Sequence, residues 1–484
     1  MYEVKEAPSK IAHNTVIQII GRVLFLALSL INFKVISVYL GPTLFGDYGN
    51  VFNFVALFTV LADFGLFTVA VREISKKPNS RQVILENVFT LRLVLALATS
   101  VLAMGVAYLL AWLLPNSGYP HLIPALYIGV FNMVIFFMGY VVDAAFHVEL
   151  KMYFISLVEL IGKAVAVVGA ILAIVFKAGF LWIVAAVALG TLVSFVARLM
   201  YVKPYFKLKL GFDYKMWRWL MAMAVPLGIV FALNNLYFKI DSIMLYLISG
   251  SYATGIYTAA YRVLETIVFI SVFFIAALTP YLSNYLEQKH NEARKLITVG
   301  VEILLATGAI ITVALLFYSE EVILFLSGNA YLPAAVPLTL LAFVVTFLYV
   351  NSLLGQVLVL LDRRKLLITV SGAILLLNVA LNFYLIPKFT FVGTAASTLI
   401  CETLLLGTNL IIIRWNDLLN FRKKKFAYLG LSLSLATILF AAAKSINLFW
   451  IIPFFGIPAL YFWLLWRQGV LPLNYISQQT AKAL

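Results

Sequence analysis

A chain of 484 residues that is 64% hydrophobic and 11% charged, with a mean hydropathy of +1.03, falls well below the roughly one quarter charged residues of an ordinary globular chain. No soluble fold would cover that much apolar surface, and the single cysteine, Cys401, excludes an internal disulfide framework. The net charge of +15 invites a nucleic-acid partner, but it is spread over short connections on alternating sides, which argues against one.

Unbroken apolar runs leave the helix as the spanning structure, because a helix satisfies its own backbone groups in hydrocarbon. Spans of about 20 to 25 residues predict about fourteen helices, near 12–39, 46–71, 86–113, 121–147, 152–176, 179–200, 218–248, 252–281, 296–318, 332–361, 366–386, 391–414, 426–445 and 447–466. The first is too long for the core of a signal peptide and is followed by another span, so it reads as a retained helix. Connections holding Lys5 and Lys10, Lys76 and Lys77, Lys203 to Lys209, Arg363 to Lys365 and Arg422 to Lys425 fall on one face. The other face keeps only Lys177, Lys388 and Lys444. That asymmetry predicts an all-α polytopic membrane protein with both termini in the cytoplasm. The connection YVKPYFKLKLGFDYKMWRW, starting at Tyr201, alternates basic and aromatic residues and reads as an interfacial segment on anionic headgroups.

Two stretches repeat one another. LINFKVISVYLGPTLFGDY carries Gly41, Gly46 and Tyr48, and LNNLYFKIDSIMLYLISGSYATGIY carries Gly250, Gly255 and Tyr257 in the same GxxxxGxY spacing. A second anchor sets Pro120 and Pro124 against Pro333 and Pro337, and at that register Glu149 and Lys151 fall opposite Asp362 and Arg364. Two anchors at nearly one offset argue for duplication. The expected organisation is an N-terminal lobe over 1–200, a basic-aromatic cytoplasmic linker over 201–217, a C-terminal lobe over 218–414, and two further helices with a tail over 415–484. Many transporters set a binding site at the interface of such repeats.

The longest water-facing connections, Tyr201 to Trp217, Leu282 to Lys295 and Trp415 to Lys425, are too short for a soluble catalytic domain. His13, His121, His147 and His290 lie at predicted helix ends and never pair at metal-ligand spacing. HExxH, GxSxG and Walker-type loops are missing from the sequence. The expectation is a protein that is not an enzyme and holds no metal or cofactor.

Ionisable side chains at bilayer depth cost several kcal/mol unless they meet a partner or a wet cavity, so each is a functional candidate. The basic set is Arg22, Lys34, Arg92, Lys163, Lys239 and Arg262, and the acidic set is Asp63, Asp143, Glu159, Glu265, Glu302 and Glu402. Arg92, Asp143 and Glu302 lie close enough to a cytoplasmic end to snorkel. Glu159 and Lys163, four residues apart on one helix, are placed to neutralise each other. Arg22 and Arg262 lie deeper, where a cavity role is favoured, whereas Lys34 and Lys239 are also within reach of outer headgroups. Asp63 and Asp241, with Glu159 and Glu265, are candidates to carry a coupling H+ or Na+, the competing role being a local salt bridge. Asn378 and Asn382 read as a helix-to-helix hydrogen-bonding pair, and Pro226 as a kink in the seventh span. A cavity with excess cations favours an anionic ligand, and arginine binds phosphate oxygens in a planar, two-pronged way.

The strings LGPTLFGDYG from Leu40, LADFGLFTVAVREIS from Leu61, KIDSIMLYLISGSYATGIYTAAYRVLE from Lys239 and NVALNFYLIPKFTFVGTAASTLICE from Asn378, in that order and spacing, resemble the Wzx-type polysaccharide-export flippases. These form a branch of the multidrug, oligosaccharidyl-lipid and polysaccharide (MOP) exporter superfamily. The resemblance implies fourteen helices in two pseudo-symmetric six-helix lobes plus two C-terminal helices, in the cell membrane. It also implies a polyprenyl-pyrophosphate-linked oligosaccharide as cargo, flipped to the outer leaflet by alternating access, with membrane lipids around it and a glycan polymerase or glycosyltransferases as partners. The related lipid II flippases have cationic residues on the first and eighth helices, and Arg22 and Arg262 hold comparable places. Their fuller arginine pattern on the first helix is missing here, where Lys34 stands, which favours a surface glycan over the peptidoglycan precursor. A drug exporter of the same fold and a lipid II flippase are the alternatives.

Overall fold

In the computed structural model the chain is described over residues 7–115, 118–149, 151–204, 206, 209–420 and 423–470, with the side chains of 7–19 and of Val60, Pro78, Leu227, Val230, Arg364 and Lys423 left aside. Lys5, Lys207, Arg422 and Lys482, and with them both chain ends, lie outside the described residues, as does the side chain of Lys10. Among the described residues all regular structure is helical. The α-helices are α1 (Ala7–Asp63), α2 (Leu66–Lys76), α3 (Arg81–Leu113), α4 (Tyr119–Val148), α5 (Tyr153–Val175), α6 (Phe180–Val202), α7 (Tyr214–Gln288), α8 (His290–Ser327), α9 (Ala335–Leu360), α10 (Arg364–Trp415), α11 (Lys423–Ser445) and α12 (Ile451–Arg467).

Among the described residues ten stretches are long and apolar enough to cross a membrane, and three of these run for 57, 58 and 51 residues, more than twice what a single crossing needs. Each of the three long helices they overlap is interrupted by one non-helical residue, at Gly41, Gly250 and Thr390. Gly41 (φ 65, ψ 173) and Gly250 (φ 80, ψ −175) share one backbone conformation, in a region of φ where a Cβ is penalised and glycine is not. The two glycines that opened the repeated motif therefore do the same mechanical work. α7 runs on through Pro226, and its departure from helical dihedrals comes at Gly250.

The chain divides into two compact units, Met1–Gly255 and Ile256–Leu484. The first takes in the α7 segment up to the repeated turn, so the expected linker at 201–217 falls inside it. Its packing gives the reason. A Cβ on Gly46 would stand within 3 Å of the Ser251 carbonyl group, and one on Gly255 within 3 Å of that of Pro42. The two copies of the motif thus cross at their second glycines, each against the residue that follows the other's first glycine. Only hydrogen at both Cα positions permits the approach.

Two apolar cores fill the first unit. One joins Val51, Phe54 and Val55 of α1 to Ala96 and Ala103 of α3 and Leu122, Leu126 and Met133 of α4. The other joins Leu66, Val69 and Ala70 of α2 to Val141, Val142 and Phe146 of α4 and Leu220 and Ala224 of α7. In the second unit, Ile310 and Tyr318 of α8 pack with Leu429, Ala436 and Phe440 of α11 and Tyr461 and Leu465 of α12. Thr312 of α8 there donates to the Ala342 carbonyl of α9 at 2.7 Å and lies 2.8 Å from the Thr346 hydroxyl.

Candidate functional site

The first unit contains a line of charge drawn from α1, α3, α4, α5 and α6, buried at Arg92, Asp143 and Arg198. It starts at Asp63, the last residue of α1, where Phe64 (φ 40) and Gly65 (φ 77) turn the chain into α2. Its Oδ1 accepts the Phe67 amide at 3.3 Å, placing an anion at the positive end of α2. The same oxygen is ion-paired to Arg92 of α3, whose side chain is 0% exposed and whose guanidinium lies 5.9 Å from the Phe137 ring centre and 5.4 Å from that of Tyr140. One turn past Tyr140 on α4, Asp143 accepts a two-pronged contact from Arg198 of α6, Nε at 2.8 Å and Nη2 at 3.2 Å. Arg198 Nη2 also lies 3.6 Å from Glu159 of α5, and Glu159 lies 3.9 Å from Arg22 Nη1 of α1. The line ends at Phe25, whose ring has Arg22 at 5.3 Å and Lys163 at 5.6 Å.

The links differ in strength. Asp143 and Arg198 are 3% and 8% exposed and share two short hydrogen bonds, the arrangement in which removing one partner strands the other. Arg22 and Glu159 are about one-third exposed and 3.9 Å apart, so water screens them and the contact is readily exchanged. A cavity of about 600 Å³ opens beside Asp63, lined by Tyr140, Asn234 and Asn235 and by the rings of Phe67, Phe136 and Phe231.

The polar groups expected to snorkel are held by partners instead. Arg92 is fully buried against Asp63, and Asp143 binds Arg198. Glu302 is buried and accepts from Lys425 Nζ at 2.6 Å. Each has its counter-charge on another helix, which position along its own helix does not reveal. Glu159, expected to neutralise Lys163, has Arg198 and Arg22 against it. Asn382 donates to Asn378 Oδ1 at 3.2 Å within α10. Arg262 pairs with Glu265 on its own helix at 2.9 Å in the second unit, both partly exposed. Glu402 is buried there and accepts from Asn351 Nδ2 at 2.7 Å. Lys34 is exposed, Lys239 half-buried and Asp241 buried. Among the described residues no three His, Cys, Asp or Glu side chains gather as a metal-ligand group.

Two participants escape a sequence reading. Arg198, close to the end of its span, counts as a cytoplasmic loop charge, yet it is the hub of the line. Asp47, six residues past Gly41, is buried: its Oδ1 accepts from Tyr246 OH at 2.8 Å and Ser251 Oγ at 2.6 Å, and His121 Nε2 lies 3.2 Å from Oδ2. It fastens the first copy of the repeated turn to the second. Its position one residue after Gly46 is the signal that marks it.

The family model described as "Polysaccharide biosynthesis protein" matches residues 11–286, more than half of the chain. The chain belongs to that family. A second model, MatE, matches residues 226–384 of this polysaccharide biosynthesis family member. The capsular polysaccharide biosynthesis protein CapF of Staphylococcus aureus is 25% identical to it over 205 residues, 42% of this chain and 52% of CapF. The chain thus spans about half the length of the curated relative it matches. Among solved structures, the lipid II flippase MurJ in an inward closed conformation superposes with a TM-score of 0.79 at 14% identity, over 94% of this chain and all of that one. An inward-facing multidrug resistance MATE family transporter of the MOP superfamily gives 0.62 at 15% identity, over 80% and 94%. A MOP superfamily transporter from Pyrococcus furiosus, whose report describes a reverse polarity of the binding pocket, gives 0.61 at 14%, over 84% and 95%. At these identities the likeness establishes the MOP fold.

Proposed function

We propose that this protein flips a polyprenyl-(pyro)phosphate-linked oligosaccharide from the cytoplasmic to the outer leaflet, by alternating access, for surface polysaccharide assembly. The observation that carries the reading is the line of charge in the first unit, where Arg22, Lys163, Arg92 and Arg198 outnumber Asp63, Asp143 and Glu159. A pyrophosphate competes with carboxylates for guanidinium groups through the same charge-assisted, two-pronged bonds. The exposed Arg22–Glu159 contact is the link it displaces, with Lys163 beside the same ring, whereas the buried Arg198–Asp143 pair stays as scaffold. Lys34 and Lys239 of the first unit and Arg262 of the second are proposed as further substrate contacts. A Glu159 freed from Arg22 is open to a proton, which would couple headgroup binding to H+. Asp63, Asp241 and Glu265 are the other proposed carriers of H+ or Na+.

Membership of the polysaccharide biosynthesis family and the fold shared with MurJ support this reading. We place both termini in the cytoplasm of a plasma-membrane protein with fourteen crossings, two in each long interrupted helix. We further propose lobes over 1–200 and 218–414, a protein that catalyses no reaction, and a glycan polymerase or glycosyltransferases as its partners. The membrane potential is worth about 2.3 kcal/mol per elementary charge at 100 mV, enough to bias such a cycle.

The test is a proteoliposome assay in which a labelled polyprenyl-pyrophosphate oligosaccharide becomes accessible to an enzyme added outside. Wild-type protein should expose the label, and Arg22→Ala should abolish exposure while the folded yield stays unchanged. Wild-type turnover by Arg22→Ala would overturn the assignment. Export of cationic drugs without lipid turnover would favour a multidrug exporter.

A further inference from the structure

The connection between α6 and α7 is built against the first unit rather than left as a tether. Asn87, buried on α3, donates from Nδ2 to the Val83 carbonyl at 2.9 Å, which fixes its side chain. Its Oδ1 then accepts both the Asp213 amide at 2.8 Å and Trp217 Nε1 at 3.1 Å. One turn along, Thr90 Oγ1 accepts the Gly211 amide at 2.8 Å. Amides at alternate residues, 211 and 213, thus dock on one helix face as a strand edge would. Gly211 lies so close that a Cβ there would stand 2.9 Å from Asn87 Nδ2.

The docking fixes what the segment displays. Leu210, Phe212 and Tyr214 are 56%, 74% and 77% exposed, large apolar groups that a tether in water would not hold out. Around them lie exposed Lys209, Lys215 and Arg218. Lys77, at the end of α2, stands over the Trp219 ring at 4.3 Å, bringing the basic end of α2 to the same surface. Of the nearby acids, Glu73 is buried and bridged to Arg72 and Lys77, Asp213 Oδ1 accepts the amides of Lys215 and Met216, and Glu86, half-buried beside Gly211, accepts from Gln82 Nε2 at 2.8 Å. Aromatic and aliphatic groups ringed by cations match the boundary between acyl chains and anionic headgroups.

We propose that residues 209–219, pinned by Asn87 and Thr90, form a binding site for anionic bilayer lipid, with Leu210, Phe212 and Tyr214 entering the acyl region and Lys77, Lys209, Lys215 and Arg218 holding the phosphate. Each cation at such a surface changes affinity by about fivefold. The site holds whether or not the protein flips lipid-linked sugars.

Native mass spectrometry of the full chain in detergent, with phosphatidylglycerol or phosphatidylcholine titrated in, tests it. The wild type should retain phosphatidylglycerol at least tenfold better than phosphatidylcholine. Lys209→Gln/Lys215→Gln/Arg218→Gln should lose that preference, and Lys177→Gln/Lys388→Gln should keep it. Equal retention of the two lipids, or a triple variant that binds like wild type, overturns the proposal. So does displacement of phosphatidylglycerol by millimolar inorganic pyrophosphate, which would mean a site for soluble phosphate. A protein that passes here and fails the turnover assay would refute the flippase reading and leave the lipid site standing.

Discussion

Replacing Arg198 by methionine removes the cation at the hub of the line of charge and leaves its volume largely filled. Asp143, 3% exposed beside Arg198, loses both hydrogen bonds to it, and Glu159 loses the Arg198 contact at 3.6 Å and keeps the loose one to Arg22 at 3.9 Å. Stranding one member of a buried pair costs about 3–5 kcal/mol, so Arg198→Met should destabilise by that amount, and Asp143→Leu, which strands Arg198, nearly as much. The double variant puts an apolar pair where an ion pair stood, a change that is often neutral, and should recover all but about 1–2 kcal/mol. The cycle is measured by reversible unfolding of all four proteins in mixed micelles with rising denaturing detergent, its coupling energy isolating the pair. Singles costing under about 1 kcal/mol, as an exposed pair would, or a double as costly as the singles summed, would refute the view that Arg198 and Asp143 form a buried scaffold.

The glycine crossing is equally testable. Gly46→Ala and Gly255→Ala each push a methyl into backbone and should lower the yield of folded protein at least severalfold on size exclusion, overpacking costing about 1–3 kcal/mol; Gly105→Ala, with open space around it, should fold as wild type. Lys425→Ala strands Glu302, 2% exposed, and should cost about 2–3 kcal/mol in the same unfolding assay, most of it restored by Glu302→Gln in the same chain. Asn87→Ala removes the acceptor shared by the Asp213 amide and the Trp217 indole, so hydrogen exchange across 211–217 should rise at least tenfold while exchange in α4 is unchanged.

What the sequence makes legible follows from the range of the interaction involved. Hydropathy is local, so the helices are visible without knowing a single contact. Gly41 and Gly250 are visible too, because the conformation they adopt, with φ of 65° and 80°, selects a residue type rather than a partner, and a selected type at a fixed spacing leaves a trace in the sequence. Charge behaves differently. Arg92, Asp143 and Glu302 each had a water-facing helix end within reach, and depth along one helix weighs only that option. The counter-charges that hold them, Asp63, Arg198 and Lys425, come from α1, α6 and α11, and no spacing along one helix encodes them. The i, i+4 spacing of Glu159 and Lys163 is blind, for the same reason, to the two arginines on α1 and α6 that face Glu159. Asn87 and Thr90 mark the intermediate case. Two polar residues three apart, buried in the first turns of an apolar span, cannot be bonding water, so something must arrive to meet them. That reasoning needs only the burial of the helix face, and it leads to the amides of Gly211 and Asp213. The productive question for such a chain is therefore which buried polar atoms lack a donor or acceptor within their own turn, because those atoms are where the rest of the fold is attached.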